Sequence, residues 1–154
     1  MDGYVTLNGK TVWKSAWCAN DVNDLRGITL LVIHPVLCTV LQEIRFDTHG
    51  DHRASLDLSQ FLEYSEWEYL VGVTADEPTN ELHRDGINAL YKYCYIVVDH
   101  VPYRAAFVFV TKKDRTPGSV TTSKNFSFKD CVPGPSLTYY IPDREQKGSN
   151  YTVL

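Results

Sequence analysis

The chain has 154 residues, of which 44% are hydrophobic and 22% are charged, a composition typical of one ordinary globular domain with its own core. Its net charge of −4 and its lack of any Lys/Arg run exclude the basic stripe that nucleic-acid binding needs. No stretch approaches the ~20 consecutive apolar residues of a membrane-spanning helix. We therefore expect no nucleic-acid partner and no insertion into a membrane.

Four cysteines and two glycosylation sequons favour an extracellular protein. The cysteines are Cys18, Cys38, Cys94 and Cys131, and the sequons begin at Asn125 and Asn150. Their even number suits disulfides, but three pairings are possible and reduced core cysteines are an equally good interpretation. No Cys-x-x-Cys pair is present, which excludes a zinc knuckle. We predict a secreted protein. Both states of its sequons, glycosylated and unmodified, are compatible with the sequence.

The first half of the chain predicts four strands. β-Prone residues at 4–7 and 10–13 flank Asn8-Gly9, the strongest short hairpin signal. Residues 26–33 form a short and almost continuously apolar run, which predicts a central strand covered on both faces. Pro35 ends this run, and residues 39–46 alternate enough to be its hairpin partner.

Two helices and two further strands follow a polar loop at 47–51. Asp57 is a candidate cap for a short helix, because Gln60 follows three residues later and apolar residues continue at helical spacing. Residues 69–74 predict a strand that ends in a carboxylate-rich turn at 75–80. Apolar residues between 82 and 93 recur at helical spacing, and residues 104–110 predict one more core strand.

The tail after Thr111 is broken by prolines and glycines, but aromatic residues such as Phe126 and Tyr139 can add edge strands. We predict an α/β fold with a mixed β-sheet, two helices and an irregular C-terminal extension. Residues 4–113 would form the core, and residues 114–154 would pack on the same domain. In this architecture ligands favour the loops at strand ends.

Several short motifs occur in an order that resembles a known family. They are Arg26-Gly27-Ile28, Arg45-Phe46-Asp47-Thr48, Gly72-Val73-Thr74-Ala75-Asp76-Glu77, and Tyr103-Arg104 before Phe107-Val108-Phe109. Over residues 4–113 this order resembles the interleukin-like EMT inducer (ILEI/PANDER) domain. That domain occurs in secreted cytokine-like proteins, in hyaluronan-associated cell-surface proteins and in the stem of protein O-mannose N-acetylglucosaminyltransferase.

The resemblance implies a sugar pocket. The pocket of the glycosyltransferase stem falls on Arg26, Asp76 and Arg104 of this sequence, so the resemblance implies a lectin for a terminal hexose such as galactose or N-acetylglucosamine. A carboxylate flanked by guanidinium groups suits vicinal hydroxyls, because each hydroxyl both donates and accepts. Two departures, a shorter turn after Asp76 and Ala105-Ala106 after the arginine, leave open a different sugar or a lost pocket.

Calcium is a candidate cofactor, and Glu77 is a candidate fourth sugar contact. Asp76, Glu77 and Asn80 offer hard oxygen ligands, and calcium can bridge two sugar hydroxyls. The alternative for this stretch is a helix-capping turn, which Thr79 or Asn80 alone would justify. The alternative for both arginines is an ordinary surface position at the start of a strand.

A second polar cluster contains Asp47, His49, Asp51 and His52, but its spacing fits no zinc motif and favours a solvated loop. No Gly-x-Ser-x-Gly elbow or phosphate-binding loop is present, so we expect a protein that is not an enzyme. Single-site sugar contacts are weak, so we expect a homodimer or larger homo-oligomer, for which an intermolecular disulfide is possible. The alternative function is a cytokine-like signalling or adhesion protein that binds a receptor through an exposed apolar patch.

Overall fold

The computed structural model describes residues 3–15, 26–75, 77–98, 106–113, 120–127, 137–141 and 151–153. These ranges contain nine strands and two helices. In chain order they are β1 (Gly3–Leu7), β2 (Lys10–Ser15), β3 (Gly27–Ile33), β4 (Val40–Phe46), α1 (Ala54–Tyr64), β5 (Tyr69–Ala75), α2 (Arg84–Cys94), β6 (Ala106–Lys113), β7 (Val120–Ser127), β8 (Tyr139–Ile141) and β9 (Tyr151–Val153).

The strands form two sheets, one of five strands in the order β4-β3-β5-β6-β7 and one of four in the order β2-β1-β9-β8. The predicted α/β class with two helices is confirmed. The sheet was predicted to be mixed, whereas every pairing between described strands is antiparallel. The reason is that β3 lies between β4 and β5 and runs antiparallel to both, so the two strands that α1 connects are not neighbours.

The five-stranded sheet is the middle of three layers. Alternate residues of β3 show this: Ile28, Leu30 and Val32 pack with the helices, and Leu31 and Ile33 pack with the four-stranded sheet. Every residue of β3 is buried, as predicted for a central strand covered on both faces. Each fully buried aliphatic side chain contributes roughly 1.5–3 kcal/mol, so β3 is a principal source of stability.

The predicted hairpin at the start of the chain is confirmed. Asn8 and Gly9 both have positive φ, at 50° and 76°, the conformation of the two-residue turns that match the twist of a hairpin. The hairpin packs Val5 and Trp13 against the five-stranded sheet. The predicted edge strands of the tail are also present, since Phe126 lies in β7 and Tyr139 begins β8, and each of these strands lies at the end of its sheet.

The first helix begins earlier than predicted. Its N-cap is Arg53, whose side chain makes no capping hydrogen bond, so the prediction that Asp57 caps the helix was wrong. Asp57 is exposed in the first turn, where its charge favours the helix dipole. The start moves because Ala54 and Ser55 are already buried against neighbouring elements. Asp51 shapes the preceding turn by accepting the Arg53 N–H at 2.9 Å.

The second helix lies where it was predicted and is capped by a residue of the first. Its own N-cap, His83, gives no side-chain cap. Instead the buried Ser55 Oγ accepts the N–H groups of His83 and Gly86, both at 2.9 Å, and donates to the His83 carbonyl at 3.0 Å. A Cβ on Gly86 would lie 2.5 Å from this Oγ, so the contact requires glycine. Ser55 therefore fixes the start of α2 on α1.

Candidate binding site

One end of the five-stranded sheet, which we call the upper edge, brings the predicted loops together. β3 begins there at Gly27, which pairs with Ala75 at the end of β5. β4 ends there at Phe46, opposite Ile28. β6 begins there at Ala106, because the antiparallel register of β6 with β5 carries its first residues to the last residues of β5. Both helices also begin at this edge, since Ser55 contacts the start of α2.

Arg26, immediately before β3, forms an ion pair with Asp47, immediately after β4. The Arg26 Nε lies 3.0 Å from Asp47 Oδ1, and Nη2 lies 3.0 Å from Oδ2, an arrangement in which two parallel hydrogen bonds fix the planar guanidinium. The two side chains are 28% and 21% exposed. The Gly50 N–H donates to Asp47 Oδ1 at 3.0 Å, and Arg45 Nη1 donates to the Arg26 carbonyl at 3.0 Å. Four hydrogen bonds to the Asp47 carboxylate, three from Arg26 and one from Gly50, therefore hold this pair in place.

The environment keeps Asp47 ionised. Partial burial works to raise the pKa of its carboxyl group, but the hydrogen bonds from Arg26 and Gly50, with the positive charges of Arg26 and Arg45, outweigh this effect. The pKa of Asp47 is therefore held below its ordinary value. At neutral pH the site presents a carboxylate beside a guanidinium.

Gly27 allows these two residues to meet. Its φ of +99° is a conformation that side chains disfavour, and a Cβ at this position would overlap the Phe46 carbonyl oxygen. The backbones of β3 and β4 approach closely at this point, so Arg26 and Asp47 leave their strands side by side. The glycine of the Arg-Gly-Ile motif thus has a structural role in placing the arginine.

The loop before α2 is attached to the loop before α1. The Glu81 N–H donates to the Thr48 carbonyl at 2.7 Å, and Asn80 Nδ2 donates to the His49 carbonyl at 2.9 Å. Two polar side-chain atoms of the loop after β4, Thr48 Oγ1 and His49 Nδ1, are buried without a hydrogen-bond partner. The loops after β4 and β5 therefore form one connected polar surface beside Arg26.

The predicted site residues differ in their positions and contacts. Arg26 and Asn80 both lie at the upper edge and both contact the loop after β4. Glu77 is fully buried, and its Oε1 accepts the Thr79 N–H at 2.6 Å and also bonds the Thr79 hydroxyl. Glu77 thus shapes the turn at its own position. The alternative prediction, a helix cap at Thr79 or Asn80, was wrong because the N-cap of α2 is His83. Asp76 and Arg104 lie outside the described residues.

Sequence reasoning missed Asp47, which it placed in a solvated loop. The predicted β3–β4 hairpin contained the necessary signal, because pairing Ile28 with Phe46 brings the residues just outside each strand together. A charged residue of opposite sign on each side of such a junction predicts an ion pair. Among the described residues no three His, Cys, Asp or Glu side chains are grouped to hold a metal ion. The calcium site with Asp76, Glu77 and Asn80 stays a prediction.

A serine, a histidine and a carboxylate do meet beside this edge. His83 Nε2 lies 3.0 Å from Glu81 Oε2, and Ser55 contacts the same histidine. However, the Ser55 hydroxyl bonds the backbone of His83 and not its ring, and it is buried. This geometry gives the serine no general base, so it is a helix cap and not an activated nucleophile.

Two of the four cysteines can be placed. Cys38 and Cys94 are both free thiols, and Cys94 is fully buried. Burial raises the pKa of the Cys94 thiol far above its ordinary value and raises the pKa of Cys38 in the same direction. Cys18 and Cys131 lie outside the described residues, so the predicted intermolecular disulfide stays a prediction.

A comparison with protein families decides the affiliation. The model of the family described as interleukin-like EMT inducer matches residues 26–115, more than half of the chain. The chain belongs to the interleukin-like EMT inducer family. The ILEI match runs from Arg26 to just beyond β6 and so includes both helices and the upper edge. The resemblance inferred from the sequence motifs is confirmed at the level of the family.

No curated protein matches the chain. Within the part of the chain that the structure describes, neither helix has the length and apolar character needed to cross a bilayer. The family and the upper edge are therefore the basis on which a function can be proposed.

Proposed function

We propose that this ILEI-family protein binds carbohydrate at the upper edge and recognises a terminal hexose such as galactose or N-acetylglucosamine. The observation that carries the proposal is the ion pair between Arg26 and Asp47, which presents a fixed guanidinium next to an ionised carboxylate. Sugar hydroxyls need a donor and an acceptor side by side, and this pair supplies both. A donor already held in place loses less conformational entropy when ligand binds.

We further propose that Asp76 and Arg104 complete the pocket. This is supported by their neighbours in the chain, since Ala75 ends β5 and Ala106 begins β6 at the upper edge. Asp47 takes a larger part than the sequence suggested, and the buried Glu77 acts by shaping the turn. Asn80 lies on the same surface, and its exposed side chain is held by the His49 carbonyl.

The test is binding of the purified protein to a broad glycan array, first with calcium and then with a chelator. Arg104→Ala should abolish retention of the selected glycan while thermal unfolding stays nearly unchanged. Arg26→Lys should weaken retention because lysine keeps the charge but loses the planar fork. The matched control is Arg84→Ala, which removes an exposed arginine from the first turn of α2.

Retention by the Arg104→Ala variant equal to that of the parent protein would refute the pocket. Loss of binding in chelator would support calcium bridging near Asp76, and binding that resists chelator would leave the charged side chains as the pocket. In this proposal the protein is secreted and is not an enzyme. It acts as a homo-oligomer, because several weak sites gain avidity together. Light scattering coupled to size exclusion measures that oligomeric state.

A second candidate function is receptor binding by a cytokine-like protein, which an exposed apolar turn favours. Val36 and Leu37, between β3 and β4, are 42% and 67% exposed. His34 Nδ1 holds this turn by accepting the Val36 and Leu37 N–H groups at 3.1 and 3.0 Å. A blank glycan array, together with cell-surface binding that Leu37→Ser abolishes, would favour this function.

A further inference from the structure

The opposite end of the five-stranded sheet, which we call the lower edge, carries an open groove. The lower edge is where β3 and α1 end and where β4 and β5 begin. The groove has a volume of about 660 Å³ and lies between Leu41 of β4, the end of α1 at Tyr64, and the connection from α1 to β5. It lies at the other end of the strands from Arg26 and Asp47, so its ligand would be independent of the proposed sugar.

One part of the groove is apolar and exposed. The side chains of Leu41 and Tyr64 are 60% and 77% exposed, although both belong to regular elements beside the main core. β4 is the end strand of its sheet, and no strand in the described ranges pairs with its outer side. An unpaired strand next to exposed apolar side chains is a suitable surface for an extended peptide.

The other part of the groove is acidic. Glu63 and Glu66 are exposed, and no ion pair within the described residues involves either one. Two lysines lie nearby and contact aromatic rings, Lys113 Nζ at 4.9 Å from the Trp67 ring centre and Lys92 Nζ at 4.9 Å from that of Tyr93. Lys113 also lines the groove, and Lys92 lies close enough to Glu63 to interact with its charge. Three glutamates, Glu63, Glu66 and Glu68, line the groove with one lysine, so its charge is negative on balance.

The end of α1 adds to this negative potential. A helix C-terminus carries partial negative charge, and a basic residue in the last turn normally offsets it. The last turn of α1 has no basic residue, and Glu63 lies in that turn. This arrangement is unfavourable for the helix by itself, and a cation bound in the groove would relieve it.

We propose that the groove binds a protein segment in which Arg or Lys alternates with large apolar residues. The cationic head lies between Glu63 and Glu66, its aliphatic stem covers Tyr64 and Leu41, and the segment extends along the outer side of β4. Charge-assisted hydrogen bonds and stacking on the tyrosine ring favour arginine. A second copy of this chain is a poorer occupant, because a chain of net charge −4 is repelled by an acidic groove.

The test uses a fluorescein-labelled eight-residue peptide of alternating Arg and Leu, with binding measured by fluorescence anisotropy at low salt. The control peptide has Glu at every Arg position. The variant Glu63→Gln/Glu66→Gln keeps the shape of both side chains and removes two charges. The matched variant Asp57→Asn/Asp85→Asn removes two exposed charges from the first turns of α1 and α2, at the opposite end of the molecule.

We expect the parent protein to bind the Arg peptide but not the Glu peptide. The Glu63/Glu66 variant should bind about fivefold to tenfold more weakly, the Asp57/Asp85 variant should bind nearly as the parent does, and added salt should reduce the difference. Equal loss in both variants would mean general charge attraction and would overturn the groove. Self-association seen by sedimentation, and lost in the Glu63/Glu66 variant, would overturn it in favour of a second copy. Glycan retention should be unchanged in both variants, which separates this test from that of the sugar site.

Discussion

The helix cap formed by Ser55 can be tested quantitatively. Ser55 belongs to α1, and its hydroxyl group caps the start of α2. The change Ser55→Ala removes the acceptor for the His83 and Gly86 N–H groups and the donor to the His83 carbonyl. Gly86 is buried, so its N–H would lose its partner in a place that water does not easily enter. The loop that precedes α2 would lose its attachment to α1 in the same step.

The expected cost follows from these contacts. Loss of a helix N-cap costs about 0.5–2 kcal/mol, and a buried polar group left without a partner costs about 1–3 kcal/mol. The two effects overlap at Gly86, so we expect Ser55→Ala to lower the free energy of unfolding by about 2 kcal/mol. For a chain of this size that change lowers the Tm by about 4–8 °C.

Urea unfolding followed by circular dichroism measures this change, with Ser59→Ala on the same helix as the control. Ser59 is partly exposed and makes none of the capping contacts, so its replacement should be neutral or slightly stabilising because alanine favours helix. Gly86→Ala should also destabilise, since its Cβ would lie 2.5 Å from Ser55 Oγ. In the Ser55→Ala background part of that clash is gone, so the double variant should lose less stability than the sum of the losses in the two single variants. Equal stability of the Ser55→Ala and Ser59→Ala proteins, or strictly additive costs, would refute the cap.

Three further predictions concern other described residues. Because the pKa of Asp47 is lower in the folded protein, its carboxylate stabilises the fold at pH above about 3.9, and this stabilisation is lost as the pH falls through the folded pKa. The difference in unfolding free energy between parent and Asp47→Asn, measured in urea, should therefore shrink from about pH 5 to pH 2. A constant difference would contradict the ion pair. Gly27→Ala should cost about 3 kcal/mol or more, because it combines positive φ with overlap on the Phe46 carbonyl; a urea midpoint close to that of the parent would show that β3 and β4 can separate. Cys94 should resist iodoacetamide in the native protein and react in denaturant, as peptide mass spectrometry can check, whereas rapid native labelling would mean that its core position opens.

The strands were predictable because their signals are local. The continuous apolar run of β3 follows from its burial on both faces, and Asn8-Gly9 specifies its turn without help from the rest of the chain. The start of α1 was not predictable in this way. Asp57 satisfies the local pattern of a cap, but the helix begins at Ala54 because that residue is buried by neighbours distant in sequence.

The candidate site shows the same division between local and distant information. Arg26 was identified by the motif around it, whereas its partner Asp47 lies 21 residues away and required the register of the hairpin to be known. Glu77 looked like a ligand because its neighbours are polar, yet the turn folds its carboxylate inward onto Thr79. Composition alone does not distinguish a carboxylate that builds a loop from one that faces a ligand.

The direction of the two helices gives the molecule two ends of different electrical character. Ser55 joins the start of α1 to the start of α2, so both helix N-termini, with their partial positive charge, lie at the upper edge beside Arg26. Both C-termini lie at the lower edge, where Glu63 adds its charge to the end of α1 and Lys92 offsets the end of α2. The guanidinium of Arg26 at the upper edge therefore suits hydroxyl acceptors, and the end of α1 at the lower edge, which has Glu63 and no basic residue in its last turn, suits a cation. We propose a glycan at one end and a basic segment of a second protein at the other, and measuring the binding of each ligand in the presence of the other would show whether the sheet between them couples the two sites.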